Sequence, residues 1–364
     1  MTKRVLYIWY KYSRGIPEGG GQVSSRNYRM VCQAVGEENV ENLYIHDERR
    51  GKTLATKMLS APFFLCGYYY GLSPRRVRAI ARRALAFDCV FIDRSLFGQI
   101  ARGLRSAGYQ GRIIAFFHNY ERTYFDARLS RHLPFRGVVL RCAEINDRLC
   151  CQYADRLVAL TQRDSDLLEK NLGRAADAVI PVSMQDVSLP AVDSSVLTRK
   201  RPVCIFLGSY FRANNEAILW FIREVLPHVD IRMRIVGRGM ARLQQERPEL
   251  KSVEVLSDVP DLQPVLLDAD LVILPVFTGS GMKVKTCESL LYGRNILGTD
   301  EAFAGYELDD AQVGARCNTA TEFIAAIRSF AENPRPRFNI YARNLFLQRY
   351  SNEAVQAQFK DLLR

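Results

Sequence analysis

The 364-residue sequence is poor in several features that would mark particular classes of protein. It contains no CxxC pair, and its nine cysteines stand singly apart from Cys150–Cys151. An odd, scattered set fits neither a disulfide framework nor a zinc site, and implies reduced, buried thiols. No apolar run approaches the roughly 18 residues of a bilayer span. The opening "MTKRVLYIWYKYSRG" reads as a first strand, not a signal peptide, because its apolar run is short and no small-residue cleavage site follows. Low-complexity tracts are absent, as is any repeat with a period of about 20–50 residues. There are only four histidines. Acidic residues are missing altogether from Arg49 to Leu85, which holds nine basic ones.

What is present points to a two-domain α/β chain. Apolar residues make up 48% and charged residues 25%, enough for each half to bury a core. The net charge of +12 is unevenly placed. Residues 1–180 carry 29 basic and 17 acidic residues, whereas 181–364 carry 22 of each. The whole excess lies in the first half, which implies an anionic partner for that half.

Short apolar runs alternate with helical periodicity throughout. In the first half the strands are "RVLYIWY", "NLYIH", "DCVFID", "RIIAFFH", "DRLVAL" and "AVIPV". Runs that are apolar almost throughout are expected of parallel strands covered on both faces. Residues 181–201, rich in Pro, Ser and Val, read as an interdomain linker. The pattern restarts with "PVCIFLGS", "IRMRIVG", "SVEVL", "DLVILP" and "NILGT". The expected organisation is an N-terminal Rossmann-like domain over 1–180 and a second over 202–336. C-terminal helices over 337–364 follow, the last packing back on the first domain. Two doubly wound domains facing a cleft would bind ligands outside the carboxyl ends of their strands.

The loops at those ends hold the candidate residues. Gly19, Gly20 and Gly21 precede a helix read as starting near Gln22. They serve as a phosphate-binding loop or as a plain turn. His118 ends the fourth strand, and Glu121 follows as its orienting partner, a hydroxyl ligand or a first-turn charge. Gly208 and Ser209 end the first strand of the second half. Arg212 comes next, reaching an anion or solvating the loop, and Asn214 reads as the helix N-cap. The loop Ser257–Pro260, with Val259, can pair its backbone with a base. "IVGRGMARL" lacks the third glycine of a dinucleotide fingerprint, so NAD binding is not supported. Asp268 and Asp270 form a DxD, but at the amino end of a strand, away from the expected cleft, so no metal is expected.

The stretch "FTGSGMKVKTCESLLYG" (277–293) is the most informative. Gly279 and Gly281 allow close approach to a ligand on either side of Ser280, with Met282 following. Lys283 and Lys285 put cations at a helix start, where the helix dipole disfavours them unless an anion binds there. Glu288 follows inside the helix. A phosphate cradle is the favoured reading.

On these residues the chain resembles the retaining glycosyltransferases of the family 4 type, which have the two-domain GT-B fold. The resemblance is strongest over 203–305. It implies a C-terminal domain that binds a nucleotide-sugar donor, an N-terminal domain that binds a glycan or lipid-linked acceptor, and no need for a bound metal. By position, Glu288 matches the second glutamate of the E-x7-E motif, the ribose ligand. The first glutamate is replaced by Ser280, which implies altered donor recognition. The resemblance also assigns His118 to the transferred sugar and the 19–21 glycines to the first-domain loop. Arg212, with Lys283 or Lys285, supplies the basic charge at the diphosphate. The implied activity is hexosyl transfer in cell-surface polysaccharide synthesis, in the cytoplasm or at the inner face of the membrane. The basic Arg49–Leu85 stretch, with its aromatics, suits an anionic membrane surface or is a solvated basic helix. No nucleic-acid recognition module is present. A sugar-nucleotide 2-epimerase of the same fold and a catalytically decayed binding subunit are the alternatives.

Overall fold

A computed structural model describes residues 3–11, 19–47, 62–130, 132–190 and 201–364. The chain forms two compact units, Met1–Pro181 with Val355–Arg364, and Val182–Ala354.

The first unit is built on a six-stranded parallel sheet of β1 (Val5–Lys11), β2 (Val40–Asp47), β3 (Cys89–Asp93), β4 (Arg112–Phe117), β5 (Arg156–Ala159) and β6 (Ala178–Val179), ordered β2-β1-β3-β4-β5-β6. Alternate side chains of the central strands enter different cores, because parallel strands are covered on both faces. Ile92, Ile113, Ala115 and Phe117 pack with Val77, Ile80, Ile100 and Leu104 of the helices Pro74–Ala84 and Gly98–Ser106. Aromatic rings occupy the intervening positions. Tyr7 stacks on Phe91 with centroids 5.1 Å apart, and Phe116 stacks on Phe359 at 6.4 Å. Phe359 belongs to the C-terminal helix Asn352–Leu363, and the chain's last ten residues, Val355–Arg364, are part of this unit. The Leu362 carbonyl accepts from Arg112 at 3.0 Å, and the Leu363 carbonyl from Lys3 at 2.8 Å. Burying the Phe359 ring is worth about 2–3 kcal/mol.

The second unit repeats the plan with β7 (Val203–Leu207), β8 (Arg232–Gly237), β9 (Glu254–Ser257), β10 (Leu271–Leu274), β11 (Asn295–Gly298) and β12 (Gly314–Arg316), ordered β12-β11-β10-β7-β8-β9. Part of the segment read as a linker is built into this unit. Met184 bridges to Ser351, Ser183 bonds Asn352 at 2.9 Å, and Asp186 pairs with Arg343 at 2.6 Å. Those partners lie more than 150 residues on, so the local sequence gives no sign of them.

Each strand order reverses once, between β1 and β3 in the first unit and between β7 and β10 in the second. Such switch points leave a crevice at the strand carboxyl ends, where ligands of open parallel sheets bind. The loops that open there are those after Asp93 in one unit and after Leu207 and Leu274 in the other.

Two expectations about helix starts change. Gly19–Gly21 do not precede the first helix but form its first turn, Gly19–Val35. The helix after β7 starts at Arg212, with Phe211 at the N-cap position, so Asn214 lies inside its first turn. That shift frees the Asn214 side chain for other work. Part of the basic stretch, residues 49–61, lies outside the described residues. Pro74–Ala84, by contrast, is a helix capped by Ser73 with Pro at its first position, a favoured start.

Candidate active site

In the second unit the loop after β10 carries the glycine-rich stretch into the helix Val284–Leu291. Gly281 has φ 63°, a left-handed conformation that a Cβ disfavours. Met282 is buried, and its sulfur accepts the Val182 N–H at 3.1 Å. The Tyr306 hydroxyl donates to the Lys283 carbonyl at 2.7 Å and accepts from the Cys287 N–H at 3.0 Å. The loop is thus held from both sides.

The two lysines differ. Lys283 donates to the Gly281 carbonyl at 2.9 Å and pairs with Glu301 at 2.5 Å, both side chains being only about one-seventh exposed. Its charge is answered within the protein. The expectation that both lysines need an external anion is therefore corrected for Lys283. Glu301 follows β11, the strand beside β10, and proximity in the sheet rather than in sequence brings it there. Among the described residues Lys285 has no such carboxylate. Its ammonium donates to the Asn214 side-chain oxygen at 2.7 Å and sits 4.8 Å over the Phe206 ring. Burial, aided by the Lys283 charge, lowers its pKa to about 7, against the opposing pull of Glu288. Glu288, one turn on, is half-buried, and its carboxylate makes no hydrogen bond among the described residues. Burial raises its pKa to about 7, with Lys285 opposing. A cation beside a carboxylate acceptor suits a phosphate next to a hydroxyl-bearing sugar.

Asn214 ties the two switch-point loops together. Its amide donates to the Ser209 carbonyl at 2.9 Å while its oxygen receives Lys285. A Cβ on Gly208 would lie 2.9 Å from both the Asn214 side chain and the Phe206 ring, so glycine is needed for this approach. A Cβ on Gly237 would fall onto the Gly208 carbonyl, which explains that glycine without a dinucleotide. Val259 is half-buried beside Asp258, whose carboxylate accepts the Gly239 N–H at 3.2 Å and fixes this loop to the end of β8. Arg212 is exposed and paired with Glu216 at 2.7 Å, one turn along its own helix. Of the DxD, Asp268 receives Arg234 at 2.6 Å, while Asp270 accepts the Val203 N–H at 2.7 Å and pairs with Arg337 at 2.9 Å. Both aspartates are engaged in holding strands together. Among the described residues no cluster of His, Cys, Asp or Glu is arranged to hold a metal.

The first unit's switch point is more enclosed. His118 follows β4 and is 3% exposed. Its Nε2 lies 2.8 Å from Asp93 Oδ1, and the Asn27 amide donates to the same oxygen at 2.9 Å. The group that orients His118 is thus Asp93, 25 residues earlier, rather than Glu121. Burial lowers the His118 pKa, and the Arg94 and Arg26 cations add to this against the pull of Asp93. Asp93 stays below its ordinary pKa despite burial, through His118, Ser24 and Asn27. Glu121 is fully enclosed, and burial lifts its pKa to about 7, opposed by Arg94. Its charge in turn raises the pKa of the buried Asp147, behind the larger effect of burial. A Cβ on Gly20 would overlap the Arg94 guanidinium, so this glycine makes room for a side chain. Arg94 itself has φ 114°, a strained value for a residue with a Cβ. Gly21 is buried in the same turn.

Seven of the nine cysteines are buried, and all nine are free. Among the described residues no helix is long and apolar enough to cross a membrane.

Residues 201–333 match the family Glycosyl transferases group 1. The sequence has no significant match among curated proteins. Several solved structures share the fold over nearly the whole chain. Sucrose-phosphate synthase from Thermosynechococcus elongatus superposes with a TM-score of 0.73 at 13% identity, covering 100% of this chain and 98% of that one. Anabaena HepE, solved in complex with UDP and glucose, gives 0.67 at 14% identity, covering 99% of each chain. The lipopolysaccharide outer core galactosyltransferase WaaB gives 0.64 at 14%, again covering 99% of each. The chain thus carries a match to the group 1 glycosyl transferases over residues 201–333 and has the two-sheet architecture of the GT-B fold.

Proposed function

We propose that the protein is a retaining glycosyltransferase that moves a hexosyl group from a nucleoside-diphosphate sugar to a glycan or lipid-linked acceptor in cell-surface polysaccharide synthesis. The observation that carries this is the Lys285–Glu288 pair at the β7/β10 switch point. There, among the described residues, a cation held by an amide oxygen and a ring sits beside a carboxylate without a hydrogen bond. In this reading Lys285 receives the diphosphate and Glu288 the ribose hydroxyls. The backbone of Gly208, Ser209, Gly279, Ser280, Gly281 and Met282 lines the diphosphate and sugar, and Val259 meets the base. Lys283 shapes the loop through Glu301, and Arg212 is a second cation that turns from Glu216 to the donor. HepE, of the same fold, binds UDP-glucose, which favours a uridine nucleotide here.

Breaking the anomeric C–O bond puts new negative charge on the departing diphosphate. Cations and N–H groups fixed in advance at that position stabilise the transition state. No bound metal is then required. The acceptor hydroxyl attacks the donor face that the diphosphate leaves, and its proton passes to the leaving phosphate oxygen. The first unit binds the acceptor, with His118 at the sugar, Gly20 and Gly21 opening the helix turn and Glu121 supporting the segment after His118. The exposed arginines of Pro74–Ala84, and the exposed Phe63 and Leu65 earlier in the same basic stretch, suit an anionic membrane surface. In this reading the protein works in the cytoplasm, against the inner face of the membrane.

Purified protein incubated with a panel of nucleoside-diphosphate sugars should release the free nucleotide from at least one, with the anomeric configuration kept in the product. Release from none would sink the reading. A 2-epimerase is the second reading, favoured by the buried His118, Asp93 and Glu121 of the first unit. It would interconvert the donor sugar without net transfer, which product analysis distinguishes. Co-sedimentation with vesicles containing an anionic phospholipid at low salt checks the membrane face.

A further inference from the structure

We propose that Asp93 is a positioning residue that fixes His118 in one tautomer, so that its Nδ1 accepts a hydrogen bond from a hydroxyl of the sugar or of the acceptor. The inference rests on reading the first unit's sheet edge as a substrate face. The geometry is specific. Nε2 faces the Asp93 carboxylate at 2.8 Å. An ionised carboxylate can only accept, so Nε2 must donate. A neutral imidazole has one N–H, and with it committed to Asp93 the lone pair lies on Nδ1.

The surroundings keep both charge states in place. Facing His118 are Asp93 and Arg94 from the end of β3 and Arg26 from the helix Gly19–Val35. Two nearby guanidiniums and deep burial hold the ring neutral, while the Asn27 amide helps hold Asp93 ionised. Phe116, edge-on to the imidazole with centroids 5.7 Å apart, limits its rotation. Nδ1 itself is enclosed and has no hydrogen-bond partner among the described residues. A buried acceptor left unmade costs about 1–3 kcal/mol, and this one stands at the carboxyl end of β4, next to the β1/β3 switch point where ligands of such sheets bind. A hydroxyl proton satisfies it, whereas an anion or a second acceptor is rejected. The pair thereby selects a ligand that donates at this position.

The test reads the tautomer directly and then its consequence. Nitrogen-15 NMR of the histidines in the full chain, with His118 assigned from His118→Gln, should show a protonated Nε2 and a bare Nδ1 at neutral pH and above. This readout does not depend on activity. Asp93→Asn can donate to Nε2 and should invert the tautomer. It should lower turnover at least about a hundredfold while nucleotide binding by the second unit is unchanged. Loss of both donor hydrolysis and transfer assigns the hydroxyl to the sugar, and loss of transfer alone assigns it to the acceptor. A protonated Nδ1 in the unmodified protein overturns the proposal even if Asp93→Asn does not fold. So does an inverted tautomer with turnover within about threefold of the original. A wild-type protein with the expected tautomer but no turnover of any donor would count against the glycosyltransferase reading alone.

Discussion

The two switch points solve opposite problems with the same topology. In the first unit the polar groups are buried and hold one another: Asp93 takes His118 and Asn27, and Asp147 takes Ser95 at 2.6 Å. In the second unit Lys285 and Glu288 are half-buried, and each is pushed toward its neutral form by burial. The first edge is therefore organised in advance around a neutral imidazole. In the proposed function the second is a site whose charges become favourable when an anion arrives. A sheet reversal places loops together, but the packing around each polar group decides whether its charge is answered in advance or left half-buried.

That contrast can be broken in order of effect. Phe359→Ala removes a fully buried ring stacked on Phe116 and should cost about 3–5 kcal/mol of the first unit's stability by chemical denaturation. Nucleotide binding by the second unit should survive it. Lys285→Ala should lower kcat/KM about 10²–10³-fold in a donor-hydrolysis assay, the loss expected when one preorganised donor is removed. The same change should leave the tautomer of His118 unmoved.

The pH dependence has a definite sign. The free Lys285 pKa is lowered to about 7, and a bound diphosphate raises it. Above pH 7 the free side chain is increasingly the neutral amine, so binding must take up a proton. Affinity for a nucleoside diphosphate should weaken as pH rises above 7, by up to about tenfold per unit, and Lys285→Met should flatten the slope. Calorimetry in buffers of different ionisation enthalpy measures the proton taken up. Glu288→Gln should weaken nucleotide binding about tenfold. It should also abolish the preference for ribose over 2′-deoxyribose nucleotides, which titration calorimetry can compare. Arg212→Ala should have the smallest effect, a few-fold in kcat/KM in the same hydrolysis assay, since the side chain is exposed and already paired.

The sequence carried the architecture because each strand is a short apolar run and parallel strands show little else. "CVFID" and "LVILP" announce buried strands, and the turn residues between them set the βα alternation. The glycine-rich stretch was legible for a similar reason, since glycines, lysines and a glutamate fall within a dozen residues at one strand end. Local sequence mislocated the helix start at Arg212, because Asn214 is a good cap by type, while its amide and oxygen are taken by Ser209 and Lys285. It also offered Glu121 as the partner of His118, three residues away, where the structure supplies Asp93.

By itself, then, the sequence determined two parallel α/β sheets and a cluster of glycine and charge after β10. Periodicity and composition encode burial and turns locally. Only the tertiary structure decided which polar groups meet. It answered Lys283 with Glu301 across neighbouring strands, left Lys285 to Asn214, and gave His118 its carboxylate. Those pairings join residues 18 to 71 positions apart in the chain. Hydrogen bonds and ion pairs act over a few ångströms of space, and sheet order, not sequence distance, sets which residues come that close.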